Sequence, residues 1–246
     1  KMSKRLSDKI YCEVFMRINQ LGQPIGDALP DFKPGELPNL ERIEGQYAVI
    51  ERLSKDKHGA DLYEVYGSDS PADMWTYLFQ NPVQSQDEWS ALLDQMLAAP
   101  DRFYYAIVDK ENGKAQGTFA LMRIDRGNRV IEAGSVTYSP KLKRTRLATE
   151  AQYLLARYVF EELEYRRYEW KCDALNQPSR RAAERLGFTY EGTFRQAVVY
   201  KGRNRDTDWL AMIDRDWPAV KTRLEKWLSP DNFDENGQQI KALSDF

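Results

Sequence analysis

The feature that most constrains this chain is residues 135–158, SVTYSPKLKRTRLATEAQYLLARY, where a short apolar strand runs through a basic turn into an amphipathic helix. Ala151, Leu154, Leu155, Tyr158 and Val159 recur on one helix face and must be buried. A second β-type segment, residues 168–174, follows. A strand, a crossover helix and a parallel strand bury that face on a sheet. Sheets of this kind hold ligands beyond the carboxyl ends of their strands, here beyond Tyr138 and Ala174.

The turn has a chemistry of its own. The first N–H groups of a helix have no intrahelical partner, and the macrodipole adds positive charge there. Residues 143–149 are therefore a candidate phosphate or pyrophosphate site, reinforced by Lys141, Lys143, Arg144 and Arg146. The alternative is an ordinary strand–turn–helix with its cations in solvent.

The remaining elements follow from period and punctuation. Residues 1–45, rich in Pro and Gly from Gly22 onward, read as an extended arm that wraps a domain. Residues 47–53 have strand spacing, and residues 60–66 continue toward a helix or turn. Residues 85–98 read as a helix with Ser85 as N-cap, an acidic first turn and apolar positions at Trp89, Leu92, Leu93, Met96 and Leu97. Strands are expected at 103–109 and 117–125, joined through Glu111-Asn112-Gly113, and again at 130–138. After the strand at 168–174 come a polar turn at 176–179, a short helix to Leu186 and Gly187 as its C-cap. A hairpin across 197–210 turns at KGRNR, a last helix spans 217–227, and residues 229–246 read as a polar tail. The expected fold is α/β, a mixed sheet with helices on both faces, in one domain over 46–228.

Residues 135–158 and the stretch RRYEWKCDALNQPSRRAAERLGFTYEGTFR from Arg166 together resemble the GNAT superfamily of acyl-CoA-dependent N-acetyltransferases, in the branch that includes the ribosomal-protein alanine N-acetyltransferases. The first segment falls on that family's Gln/Arg-x-x-Gly-x-Gly/Ala pattern at Lys143, Arg146 and Ala148, with Arg146 in place of the middle glycine. Downstream, Asn176, Ser179, Ala183, Leu186, Gly187, Phe188, Glu191, Gly192 and Arg195 match the N-x-x-S…A…LGF…EG…R series, and Gly202 and Asp206 its later hairpin. The likeness runs over roughly 46–217. It implies a mostly antiparallel sheet whose parallel strand pair splays apart, with acetyl-CoA as co-substrate lying in the gap.

The resemblance also implies roles. The pyrophosphate would rest on the turn at Lys143, Arg144, Thr145 and Arg146 and on the helix start at Leu147, Ala148 and Thr149. The backbone at Val136 to Tyr138 would hold the pantetheine arm and supply oxyanion donors, with Asn176 and Ser179 also against the cofactor. Acyl transfer to an amine needs proximity, a proton acceptor, oxyanion donors and a proton for the leaving thiolate. Ser179 is the candidate acid, with Asn176 positioning it, although Ser179 equally suits a helix N-cap. Glu132, four residues before Val136 and on its face, is the candidate base, against the plainer reading of a solvent-facing glutamate. Glu169 and Asp173, sharing a face with Lys171, are a second source. His58, the sole histidine, sits in the polar stretch SKDKHGAD and reads as a loop residue. Trp75, Tyr77 and Phe79 are candidate walls of the acceptor pocket, or simply core. Arg146 either adds a guanidinium to the pyrophosphate site or weakens its grip.

Composition narrows the partners. A net charge of −2 gives no electrostatic case for nucleic acid or membrane, and the KRTR and KGRNR patches lack interleaved aromatics. No apolar run approaches the roughly eighteen residues of a membrane span, and no signal-peptide core follows the polar start, so a cytoplasmic protein is expected. Cys12 and Cys172 have no CxxC spacing, which argues against a disulfide framework and against a metal site. The expected protein is a monomeric or homodimeric N-acetyltransferase acting by direct transfer in a ternary complex, its acceptor a small-molecule or peptide amine. The other reading is a non-catalytic acyl-CoA sensor or protein-interaction module on the same fold.

Overall fold

A computed structural model describes residues 17–246; the polar start and Cys12 lie outside the described residues. The chain divides into two units, the first ending at Lys33 and the second running from Pro34 to Phe246. In the first unit β1 (Arg17–Ile18) pairs antiparallel with β2 (Pro24–Ile25). Their turn is tied by the Asn19 carboxamide oxygen, which accepts from the Leu21 and Gln23 N–H groups at 2.9 and 3.0 Å.

The second unit runs β3 (Arg42–Glu44), β4 (Ala48–Arg52), α1 (Lys55–Tyr66), α2 (Gln86–Ala98), β5 (Arg102–Asp109), β6 (Ala115–Asp125), β7 (Val130–Tyr138), α3 (Arg146–Arg157), β8 (Arg167–Asp173), α4 (Gln177–Leu186), β9 (Thr189–Tyr200), β10 (Arg203–Ile213) and α5 (Trp217–Leu228). One eight-stranded sheet orders them β3-β4-β5-β6-β7-β8-β10-β9. Every neighbouring pair is antiparallel except β7 and β8. This is the mixed α/β sheet expected from the sequence.

Helices cover both faces. On one, α3 buries Ala151, Leu154 and Leu155, with Tyr158 just after it, against Ile131, Ala133, Tyr168 and Trp170, together with α4 and α5. On the other, α1 and α2 enclose a smaller core of Leu62, Tyr66, Trp89, Leu93 and Met96. There Trp89 stacks on Tyr66 at 4.7 Å and donates its indole N–H to the Gly59 carbonyl at 2.7 Å. Ser85 caps α2 as expected, accepting from the Glu88 N–H at 3.2 Å, but Leu97 ends up exposed. The β9–β10 hairpin turns tightly at Lys201-Gly202, both at positive φ (49° and 70°), the conformation a two-residue hairpin demands.

Several segments differ from the sequence expectation. Residues 34–45, read as arm, belong to the second unit. There β3 extends the sheet edge, Leu40 and Ile43 are buried, and the Tyr158 hydroxyl accepts from the Asn39 N–H at 2.9 Å. Residues 229–246 are polar overall, yet Phe233 packs edge-on against Trp227 at 5.1 Å and Leu243 is buried. Isolated apolar residues in polar surroundings carry no period, so pattern alone misses them.

His58 is not in a loop. Ser54 caps α1, accepting from the Lys57 N–H, and His58 lies buried in the first turn. Its Nδ1 accepts from the Ser54 N–H at 3.1 Å and its Nε2 faces Glu51 Oε2 at 3.1 Å. Burial pushes its pKa down, with Glu51 opposing. The imidazole fastens the helix start to β4.

Candidate active site

The parallel pairing of β7 and β8 is short, running from Val130↔Arg167 to Ala133↔Trp170. Beyond that point β7 continues to Tyr138, while β8 keeps its pairing with β10 as far as Thr207↔Asp173. A gap therefore opens between the strands. On its other edge β7 is bulged: Thr118 faces Thr137 and Ala120 faces Gly134, which leaves Ser135 and Val136 out of register. Ser135 takes φ 50°, and such bulges re-aim the backbone. Ser135 and Val136 thus have no ladder partner on either side, at the mouth of the gap.

The basic turn follows. Leu142 and Lys143 donate their N–H groups to the Ser139 carbonyl at 3.1 and 3.3 Å. Arg144 sits at φ 63°, and Thr145 is the N-cap of α3, its Oγ1 accepting from the Ala148 N–H at 3.1 Å. The Thr149 N–H is also taken, by the Thr145 carbonyl. From Lys143 to Thr149, the backbone donors left without a partner among the described residues are those of Arg144, Thr145, Arg146 and Leu147. The anion site of the sequence reading narrows from residues 143–149 to these consecutive N–H groups, with the exposed Lys141, Lys143 and Arg144 side chains around them. A cavity of about 170 Å³ beside this turn, lined by Asp61, Glu64, Lys114 and Lys141, mixes both charge signs.

Arg146 occupies the glycine position of the pattern without strain, because it is the first residue of α3 and has ordinary helical geometry. Its guanidinium lies over the rings of Tyr47 at 4.2 Å and Phe233 at 5.1 Å. The side chain is committed to that aromatic pair and leaves the backbone of the turn open. Arg146→Gly is accordingly expected to lower the free energy of unfolding by about 1–2 kcal/mol, from lost cation–π contact and helix propensity. Affinity for acetyl-CoA should stay within a few-fold; denaturant melts and calorimetric titration measure the two effects separately.

Across the gap, the N-cap of α4 is Asn176, whose Oδ1 accepts from the Ser179 N–H at 3.2 Å. Ser179 therefore does not cap the helix. Its Oγ accepts from the Trp170 indole N–H at 3.0 Å and lies beside the Cys172 thiol, whose pKa burial pushes up to about 11. Tyr138 points toward α3, its hydroxyl accepting from the Gln152 amide at 2.6 Å. Leu147 packs against the main core, Ala148 is buried within it, and the Thr149 hydroxyl accepts from Arg185 at 3.0 Å.

The opposite face of the sheet carries the charges. Glu132 is buried, 5% exposed, which removes the reading of it as a solvent-facing glutamate. Its Oε2 meets Lys171 Nζ at 2.8 Å and Arg123 Nε at 3.2 Å. Lys171 also contacts Glu169 at 2.8 Å and lies 3.7 Å from the centre of the Trp209 ring. Burial holds the Glu132 carboxyl above the ordinary carboxylate value, with Lys171 pulling it back. For Glu169 burial also pushes upward, but Lys171 and Arg167 outweigh it and the net shift is downward. Two adjacent carboxylates are thus set apart in basicity, the pattern that separates acid and base roles. Asp173 on the same face accepts from the Tyr200 hydroxyl at 2.7 Å.

The aromatic candidates separate. Trp75 is core: it is buried in the cluster of α1 and α2, with its indole N–H on Ser70 Oγ at 2.8 Å. Tyr77 is half-buried. Phe79 is exposed and lies against Tyr200 in a tilted contact, ring centres 5.3 Å apart. The hairpin tip reaches this segment through Lys201 Nζ, which donates to the Trp75 carbonyl at 2.7 Å, and through Arg203, which donates to the Thr76 carbonyl. The sequence placed Tyr200, Arg205 and Trp209 only as members of the hairpin at 197–210, with no individual role, and Lys171 only as a neighbour of Glu169 and Asp173. The alternation of Arg205, Thr207 and Trp209 on one face of β10 was the available signal.

Residues 49–189 match the Acetyltransferase (GNAT) domain. A crystal structure of a GCN5-related N-acetyltransferase from Brucella melitensis superposes with a TM-score of 0.86 at 45% identity, over 88% of this chain and 98% of that one. A GNAT-family structure from Chromobacterium violaceum ATCC 12472 gives a TM-score of 0.74 at 36% identity, over 80% of this chain and 98% of that one. The Bacillus subtilis (strain 168) protein named ribosomal N-acetyltransferase YdaF is 30% identical over 110 residues, 45% of this chain and 60% of that protein's length. The chain belongs to the GNAT acetyltransferase family, whose members are acyltransferases.

Proposed function

We propose that this protein transfers an acetyl group from acetyl-CoA directly to a primary amine, both substrates being bound together. The observation that carries this reading is the sequence of events along one strand. The β7–β8 pairing stops at Ala133↔Trp170, the bulge at Ser135 and Val136 follows, and a run of unpartnered N–H groups at residues 144–147 comes next. The gap suits an extended pantetheine arm, the bulge suits a thioester, and the N–H run suits a pyrophosphate. Acetyl-CoA supplies the activated acyl group and the thiol that leaves. The protein's part is to hold the amine, accept its proton at Glu132, offer the Val136 and Tyr138 backbone to the developing oxyanion, and deliver a proton from Ser179 Oγ to the departing sulfur.

Thiol release from acetyl-CoA across a panel of amines tests the reading. Release with at least one amine supports it; tight acetyl-CoA binding with no release from any amine favours the sensor instead. Ser179→Ala should lower kcat about 100-fold. That loss should shrink with an acyl thioester whose thiol is more acidic than that of coenzyme A, because such a leaving group needs no proton. An equal loss with both donors would remove the acid role.

A further inference from the structure

The face of the sheet that carries Glu132 has more hydrogen-bond donors than acceptors. Its carboxylates are already engaged: Glu132 with Lys171 and Arg123, Glu169 with Lys171 and Arg167, and Asp173 with the Tyr200 hydroxyl and the Leu175 N–H. Its donors are not. Arg205 is 8% exposed, and its Nε donates to Thr207 Oγ1 at 3.1 Å. Its guanidinium lies against the rings of Phe79 and Tyr200, at 5.2 and 5.8 Å from their centres, and no carboxylate among the described residues pairs with it. On the same face of β10, the buried Trp209 indole N–H has no hydrogen-bond partner among the described residues. A buried guanidinium is costly unless an anion meets it, and a planar fork held on aromatic rings is preorganised for a carboxylate.

The placement matches an acceptor. Thr207 stands opposite Asp173, the last residue of β8, and Arg205 lies a further two residues, roughly 7 Å of strand, along β10. Phe79 and Tyr200 belong to the segment and hairpin that close over this face. We propose that Arg205 recognises a carboxylate on the acceptor, so that the substrate is an amine carrying an acidic group a few bonds from its nitrogen, as an amino acid or the acidic amino-terminal residue of a peptide does. A polyamine would find no uncommitted carboxylate on this face. The inference builds on the acetyltransferase reading, since it names that site's acceptor class.

The test is calorimetric binding to the coenzyme A-loaded protein. The probes are α- and ω-amino acids, short peptides with an acidic first residue, the amides of all of these, and spermidine. The acids are expected to bind about 10- to 100-fold tighter than their amides, with Arg205→Met abolishing the preference and Arg205→Lys keeping part of it. Preference for free amino acids over peptides, or the reverse, distinguishes the two sources of the carboxylate. Binding of amides or spermidine as tight as that of the acids overturns the proposal, as does absence of acid binding, or a preference that survives in Arg205→Met. Thiol release run on the same panel separates the two claims. Turnover without acid preference removes the role of Arg205 and leaves the acetyltransferase standing; acid-selective binding without turnover does the opposite.

Discussion

Glu132→Gln is expected to cut kcat/KM for thiol release by about 10²- to 10⁴-fold while leaving acetyl-CoA affinity unchanged. The amide keeps the shape and can still accept from Lys171, so the change removes basicity with little else. The pH profile gives the sharper readout. Burial raises the Glu132 carboxyl above its ordinary value, so wild-type activity should fall on the acid side at a pH above the usual carboxylate range, as the base becomes protonated. That limb should vanish in Glu132→Gln and move to higher pH in Lys171→Met, where the opposing cation is gone. Stability has the opposite sense. A carboxyl with a raised native pKa favours the protonated native state, so its contribution to stability declines as pH rises from the unfolded-state value through the native one. Glu132→Gln removes that cost and loses one ion pair, so its melting temperature at neutral pH should shift little. His58→Ala should stay active, since His58 is bound to Ser54 and Glu51 at the start of α1. Activity surviving in Glu132→Gln and lost in His58→Ala would overturn the assignment of the base.

What the sequence made legible, and what it did not, divides along physical lines. The amphipathic α3, the strand beyond the crossover, the Ser85 cap and the Gly187 C-cap, at φ 112°, are local, because period and capping chemistry act over a few residues. The end of the parallel register at Ala133↔Trp170 and the bulge at Ser135 are not local, since they depend on how β8 leaves for β10. The fate of Arg146 shows the limit most clearly. Its place in the pattern suggested either a ligand or a defect, but its partners are Tyr47 and Phe233, one near the start of the domain and the other in the apparent tail. Pairings of that separation in sequence leave no periodic trace. The same holds for Glu132, whose burial follows from Lys171 and Arg123 on neighbouring strands.

Glu150→Ala is expected to be the most destabilising substitution outside the apolar core, at about 3 kcal/mol. Glu150 projects from the first turns of α3 and is buried, 5% exposed. Its carboxylate accepts from the Gln46, Tyr47 and Ala48 N–H groups at 2.8, 2.6 and 2.7 Å, which ties the β3–β4 turn to the helix. The fit is close: a Cβ on Gly45 would lie 2.6 Å from the carboxylate, so Gly45 has room for no side chain. Charge-assisted bonds of this kind are stronger than neutral ones, and truncation leaves their donors unmet. Ala48 is buried, whereas Gln46 is exposed and can turn to water, which keeps the cost well below the sum of the individual bonds. A melting point lower by about 6–12 °C is expected for a chain of this length, and Glu150→Gln, which retains an acceptor oxygen, should lie between. The effect should reach the anion turn as well, because Glu150 is what fastens the first turns of α3, whose N-terminus forms that turn, to residues 46–48. Acetyl-CoA affinity in Glu150→Ala should therefore fall by more than it does in Arg146→Gly. Equal affinities, or a melting point within 2 °C of wild type, would show that the turn and α3 hold their places without this carboxylate.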